Sequence, residues 1–246
     1  MKKIFSNLYF FLKSKNIQKI KIVAFIYINL KNIIYIPIIS VLRYYQFYNP
    51  KYNVSKKINF NNDKENDFFI KKLKECKLYL EFGSGNSTLL AKFYNKKFYS
   101  IESDKNFYFF LKKKFNLKNY FLRDIGIVKY FSIPLLFHLR KKFLLNKANK
   151  YSSDIFKILK KEKIIPDFIL VDGRYRVLTA IYLYKFYKDK NKKFTIIIDD
   201  YKERNFYHII DKFFEIKTYG RFGVTSKIKK GINPEKYIVD YVLDYR

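Results

Sequence analysis

From about residue 60 onward, short apolar runs alternate with helix-length segments, and that alternation limits the fold more than anything else in the chain. The runs at 77–82, 98–102, 119–122, 167–171 and 194–198 are of strand length and carry few polar residues. Between them, 87–94, 105–115, 175–187 and 203–213 read as helices. Strands that are apolar throughout need cover on both faces, the condition of a parallel sheet joined by crossover helices. Right-handed crossovers leave few topologies. Two further strands, at 214–219 and 237–243 with a Gly-bearing connection, are expected to close the sheet. The segment 132–165 is too long for a loop and reads as an inserted helical pair with basic faces. The expected class is α/β, a mostly parallel seven-stranded sheet with helices on both faces and an N-terminal helical extension.

Residues 1–60 break the pattern, holding neither a Gly nor an acidic residue. Within them, 22–42 is a run of 21 residues with one charge, Lys31. About 20 apolar residues cross a bilayer. Lys13, Lys15, Lys19 and Lys21 precede the run, Arg43 follows it, and Tyr44, Tyr45 and Tyr48 suit an interface. Lys31, Asn29, Asn32 and Pro37 oppose a clean span. Three readings stay open: a helix pair packed on the main domain, an interfacial basic helix, and a true span. The run is too long and too far inside for a signal peptide. The expected division is a helical, membrane-associating extension over 1–58 and the main domain over 59–246. The matching location is the cytoplasm, with attachment to the inner face of a membrane through 1–58.

The net charge of +31 would ordinarily indicate nucleic acid or an anionic membrane as partner. Here 44 of the basic residues are Lys and only 8 are Arg, and Lys, Ile, Asn, Phe and Tyr make up 147 of the 246 residues. Those are residues of AT-rich codons, and the lysines are spread along the chain, so the charge weighs little and nucleic acid is not the expected partner. One cysteine, Cys76, excludes a disulfide framework, and with only His138 and His208 a His-rich metal cage is excluded too.

In such a sheet, ligands bind at the carboxyl ends of the strands. After the first strand stands Glu81-Phe82-Gly83-Ser84-Gly85-Asn86-Ser87-Thr88. Two glycines let backbone approach a ligand, and the next helix start offers free N–H groups. The third Gly of a dinucleotide fingerprint is missing at Thr88, which argues against NAD or FAD. The second strand ends in Ile101-Glu102-Ser103-Asp104, about 20 residues on, where an acid can accept both hydroxyls of a ribose. Asp104 better suits a helix cap.

With these residues the sequence resembles the class I S-adenosylmethionine-dependent methyltransferases over about 65–246. The Glu81–Thr88 run looks like their first motif, Glu102 like their ribose ligand, and the closing strands like their antiparallel hairpin. The resemblance implies a Rossmann-like methyltransferase fold and S-adenosyl-L-methionine as cofactor. Its binding set would be Glu81, Gly83, Ser84, Gly85, Asn86, Ser87 and Glu102, with Asp124 after the third strand near the adenine. Asp172 ends the fourth strand, where the family places acceptor and catalytic residues. In place of the tetrapeptide of base-amino methyltransferases the chain has Val171-Asp172-Gly173-Arg174-Tyr175-Arg176, which argues against nucleobase methylation.

Arg174 and Arg176 are rare residues in a lysine-rich chain, and arginine gives fixed bidentate geometry to carboxylate or phosphate. They suit an anionic acceptor, the cofactor carboxylate, or a salt bridge to Asp172 or Asp199. Asp172, Asp199, Arg174 and Arg176 are thus the expected catalytic group. Asp172, Asp199 and Asp200 also resemble the carboxylates of metal-dependent catechol-type O-methyltransferases, implying Mg²⁺ or another divalent metal, with arginine pairing as the rival. His208 is a further candidate base. The expected function is methyl transfer to oxygen of a small hydroxylated or anionic acceptor, a sugar or glycolipid intermediate among them. The alternatives are an RNA methyltransferase and a non-catalytic, membrane-anchored binding module.

Overall fold

In a computed structural model, the chain divides into two compact units, 1–45 and 46–246. The structure describes residues 57–60, 62–128, 134 and 141–246, with 37–39, 41–42, 45–47 and 54. Most of the apolar run at 22–42 lies outside the described residues, so its three readings stand. Among the described residues, no helix is long and apolar enough to cross a membrane. Phe47 and Val54, assigned from sequence to the extension, are buried within the second unit, where Phe47 packs on Phe107 and Phe110.

The elements run α1 (Asp63–Glu75), β1 (Leu78–Phe82), α2 (Asn86–Phe93), β2 (Lys97–Glu102), α3 (Lys105–Phe115), β3 (Tyr120–Leu122) and α4 (Lys141–Lys161). They continue β4 (Phe168–Val171), α5 (Arg176–Tyr187), β5 (Thr195–Ile198), a 3₁₀ helix (Asn205–Lys212), β6 (Lys217–Tyr219), β7 (Phe222–Thr225) and α6 (Pro234–Tyr241). The sheet order is β3-β2-β1-β4-β5-β7-β6. Strands β1 to β5 are parallel, and β7 is antiparallel to both β5 and β6.

Alternate residues of each strand feed two apolar layers. Leu80, Phe82, Ile101, Ile169, Val171, Ile196 and Ile198 pack with α4 and α5 on one face. Tyr79, Phe98, Phe168, Leu170 and Ile197 pack with α1, α2 and α3 on the other. This two-sided cover is what the uninterrupted apolar strands demand.

Two expectations fail. Residues 237–243 form no strand: α6 covers most of them, with Asn233 accepting from the Glu235 N–H at 3.0 Å and Pro234 opening the helix. Tyr237, Ile238, Tyr241 and Val242 then meet the core at helical spacing. The strand that pairs with β5 in their place is β7, inside the Gly-bearing connection, and β6 forms the edge. The described part of 132–165 is also no insertion. It holds the single helix α4, the crossover from β3 to β4, with Leu144, Ala148, Tyr151, Ile155, Phe156 and Leu159 buried at helical spacing. The 203–213 helix is of the 3₁₀ kind, and α1 has no counterpart in the sequence reading.

Candidate functional site

Strand register sets the site. Phe82 pairs with Ile101 on one side and with Val171 on the other, and Val171 pairs with Ile198. The next residue of each strand therefore falls in one row: Glu102, Gly83, Asp172, Asp199. Hydrogen bonds extend the ladder into it, from Gly83 N–H to the Ile101 carbonyl (2.9 Å), Asp172 N–H to Phe82 (2.9 Å) and Asp199 N–H to Val171 (3.1 Å). Chain connections leave β1 and β4 in opposite directions across the sheet, and ligand crevices form at such a point.

The two glycines do different jobs. Gly83 has φ +93°, and a Cβ there would lie 2.6 Å from the Gly173 nitrogen and 2.7 Å from its Cα. Gly83 and Gly173 thus pack backbone to backbone where β1 and β4 end. The close contact gives Gly83 a structural role at this seam. A Cβ on Gly85 would meet nothing within 4 Å, so the backbone here borders open space at the start of α2.

Glu81 is fully buried and accepts hydrogen bonds from Tyr79 (2.9 Å), Ser87 (2.7 Å) and Thr88. Burial raises its pKa, and these hydroxyls oppose the rise. It anchors the start of α2 from below, with Ser87 as partner, and its side chain does not reach the crevice. Asn86 donates to the Lys57 carbonyl at 2.9 Å.

Glu102 is 3% exposed. Its Oε1 accepts from the N–H groups of Ser103 and Asp104, each at 2.7 Å, and its Oε2 from the N–H (3.2 Å) and hydroxyl of Ser84. Ser84 Oγ also lies 2.8 Å from the Tyr120 hydroxyl. Burial pushes the Glu102 pKa up. The carboxylate thus locks the Ser84–Gly85 turn against the end of β2. Asp104 caps α3, accepting from Asn106 N–H at 2.9 Å. Asp124 accepts from Gly126 N–H (2.8 Å) and pairs with Lys147 of α4 (2.7 Å).

The three aspartates do converge at the rim of β4 and β5, but guanidinium groups occupy them. Arg176, 3% exposed, binds Asp172 Oδ1 at 2.9 Å, Asp200 Oδ2 at 3.2 Å, and the carbonyls of Gly173 (3.0 Å), Asp199 (2.6 Å) and Asp172 (3.2 Å). Arg221 binds Asp199 Oδ2 at 2.7 Å and Asp200 Oδ1, and Arg204 binds Asp200 Oδ2 at 2.7 Å. Among the described residues, no group of three or more metal-ligating side chains could hold a metal ion. The metal expectation for Asp172, Asp199 and Asp200 is therefore replaced by arginine pairing. Mg²⁺ would have to displace guanidinium groups already bonded to the same carboxylates.

The aspartates differ in reach. The Asp172 side chain is 37% exposed, against 3% for Asp199 and 11% for Asp200. Desolvation, then the neighbouring Asp199 carboxylate, push the Asp172 pKa well up, with Arg176 opposing. Asp199 Oδ1 is buried without a hydrogen-bond partner. Arg174 is half-buried and, among the described residues, donates no side-chain hydrogen bond and forms no ion pair. Burial and the adjacent Arg176 lower its pKa, and the charged form remains dominant. The sequence treated the two arginines alike; the structure separates a buried clamp from an uncommitted cation. His208 is exposed, with its ring 4.9 Å from Tyr201, and makes no hydrogen bond to the aspartates.

Arg221 was missed because the closing strand was sought at 237–243. Antiparallel β7 starts beside the end of β5, which carries Arg221 to Asp199 and Asp200. Its signal was the same as for Arg174 and Arg176, an arginine where the chain otherwise uses lysine.

No family model and no curated protein matches the sequence. In three dimensions the chain is similar to a crystal structure of a methyltransferase-like protein from Silicibacter pomeroyi. The TM-score is 0.60 over 78% of this chain and 100% of that one, at 20% identity. The fold is therefore methyltransferase-like, an α/β fold on a mixed seven-stranded sheet.

Proposed function

We propose that the protein is a methyltransferase that uses S-adenosyl-L-methionine and transfers its methyl group to oxygen of a small hydroxylated acceptor. The observation that carries this reading is the row of strand ends from Glu102 to Asp199 on a methyltransferase-like fold, with the unobstructed Gly85 backbone beside it. The cofactor would lie against that stretch of backbone. The Gly85 backbone and the free N–H groups opening α2 would face its methionine part, and Glu102 would have to exchange the Ser84 hydroxyl for a ribose hydroxyl to hold that end. When bound, the cofactor supplies an electrophilic methyl group on a sulfonium.

The rest of the work is done by the chain. Asp172 is the rim carboxylate that solvent reaches, so it takes the proton of the acceptor hydroxyl. The upward direction of its pKa shift makes its ionised form a stronger base than an ordinary aspartate. Arg176 and Arg221 hold Asp199 and Asp200 as a fixed floor and orient Asp172. Such transfer needs alignment and deprotonation and little else from the protein. The reading predicts label transfer from methyl-labelled cofactor to a hydroxylated small molecule, with at least a hundredfold loss in Asp172→Asn, in the usual range for general-base removal. Full activity in that variant would remove Asp172 from the reaction.

A further inference from the structure

Among the described residues, three of the four arginines around the ends of β4 and β5 are bound to the aspartates there. Arg176, Arg204 and Arg221 share Asp172, Asp199 and Asp200. Arg174 is left over. Arg176, Tyr207, Tyr151 and Asp172 are the groups that act on it most strongly after burial. Asp172 turns its Oδ1 to Arg176 at 2.9 Å, so it does not neutralise Arg174. Among the described residues Arg174 is therefore a guanidinium without an ion pair or side-chain hydrogen bond, half withdrawn from water, and such a group gains from an anionic partner.

A second group at the same turn is also unsatisfied. The hydroxyl of Tyr151 is buried without a hydrogen-bond partner, pressed against Gly173 so closely that a Cβ there would lie 1.9 Å from it. The Tyr151 hydroxyl of α4 thus sits directly against the Gly173-Arg174-Tyr175 turn, next to the Arg174 backbone. The turn directly follows Asp172, the group assigned to the acceptor.

We propose that Arg174 is the receptor for a single anionic group, a carboxylate or a phosphate, carried by the methyl acceptor. This rests on the proposed methyltransferase reading and narrows its substrate class from any hydroxylated molecule to a hydroxylated anion. A planar guanidinium binds either anion through paired N–H groups, which a lysine cannot imitate. One bound anionic group pairs the charge that the aspartates leave over. It also fixes the acceptor by an end remote from the hydroxyl that Asp172 serves.

The cofactor has a carboxylate of its own, so the test must separate the two sources. Inorganic phosphate is titrated calorimetrically into wild type and Arg174→Gln at constant ionic strength balanced with chloride. It is done with and without saturating S-adenosylhomocysteine. Constant ionic strength matters because a chain of +31 binds anions diffusely, and only the difference between the two proteins reports the site. The expected result is one saturable phosphate site in wild type, present alongside S-adenosylhomocysteine and weakened about tenfold or more in Arg174→Gln. S-adenosylhomocysteine affinity should change less than about threefold. Should Arg174→Gln fail to fold, Arg174→Lys keeps the charge without the fork and should also weaken phosphate. Equal phosphate binding in wild type and the variant overturns the proposal. Competition between phosphate and S-adenosylhomocysteine, with the latter weakened in the variant, overturns it too and gives Arg174 to the cofactor. Failure of wild type to bind S-adenosylhomocysteine at all would sink the methyltransferase reading instead, while the cofactor-free arm still reads the anion site.

Discussion

Gly83 and Gly85 lie two residues apart in one turn, yet alanine should affect them in opposite ways. At Gly83 the added Cβ meets backbone on the neighbouring strand, 2.6 Å from Gly173 N and 2.9 Å from the Asp172 carbonyl carbon. Backbone in a paired strand end cannot swing aside as a side chain would. The residue also sits at φ +93°, a region that L-residues occupy at a cost of about 1–2 kcal/mol. Forced overpacking adds about 1–3 kcal/mol. Together that is about 2–5 kcal/mol, a large share of the 5–15 kcal/mol by which such domains are stable. For a chain of this size each kcal/mol moves Tm by about 2–4 °C, so Gly83→Ala should melt roughly 5–20 °C below wild type. At Gly85 nothing lies within 4 Å of the new Cβ, so Gly85→Ala should melt within about 2 °C of wild type. Scanning calorimetry of both variants in ligand-free buffer is the assay. Equal melting temperatures would refute the division of labour between the two glycines.

Arg176→Met should destabilise the protein by about 3–5 kcal/mol, because it strands the Asp172 carboxylate and takes the guanidinium from Asp200 and from three buried carbonyls. A shift of the urea midpoint worth less than 1 kcal/mol would contradict the clamp. The Asp172 pKa is raised, so its basic form appears only above the ordinary aspartate range; activity should fall as pH drops through a value above about 4. An acid limb at or below pH 4 would assign the base elsewhere. Burial pushes the Cys76 thiol up to about 11, so it stays protonated at pH 8 and should resist alkylation until the protein unfolds. Rapid labelling of the native chain at pH 8 would show that this thiol is not buried as described.

The strand ends were legible because a parallel sheet prints them twice, as an apolar run and as the polar residue that ends it. Phe82-Gly83, Glu102, Val171-Asp172 and Ile198-Asp199 all fall where expected. The closing strand was not legible because the Tyr237–Leu243 segment is rich in β-branched and aromatic residues, the composition of a strand. The start signal Asn233-Pro234-Glu235 was present and outweighs that composition once Tyr237, Ile238 and Tyr241 have a core to meet. That one misplacement also hid Arg221. The site was readable as a set of residue types but not as a set of pairings. Nothing in the order Asp172-Gly173-Arg174-Tyr175-Arg176 tells which arginine turns inward. That depends on the backbone: Tyr175 takes a left-handed conformation at φ 55°, and α5 then begins at Arg176 and carries it over the aspartates. The role of Gly83 was hidden because it is set by Gly173, ninety residues later and on another strand.

The claim on which the functional account depends is that the crevice beside Gly85 holds S-adenosylmethionine, and isothermal calorimetry of wild type and Gly85→Val with that cofactor tests it most directly. The account predicts one-to-one binding to wild type and loss of at least tenfold in affinity for Gly85→Val, whose side chain would fill the space that borders the backbone, with an unchanged melting temperature. No heat and no thermal shift with wild type at millimolar cofactor, or equal affinity in the two proteins, would contradict it.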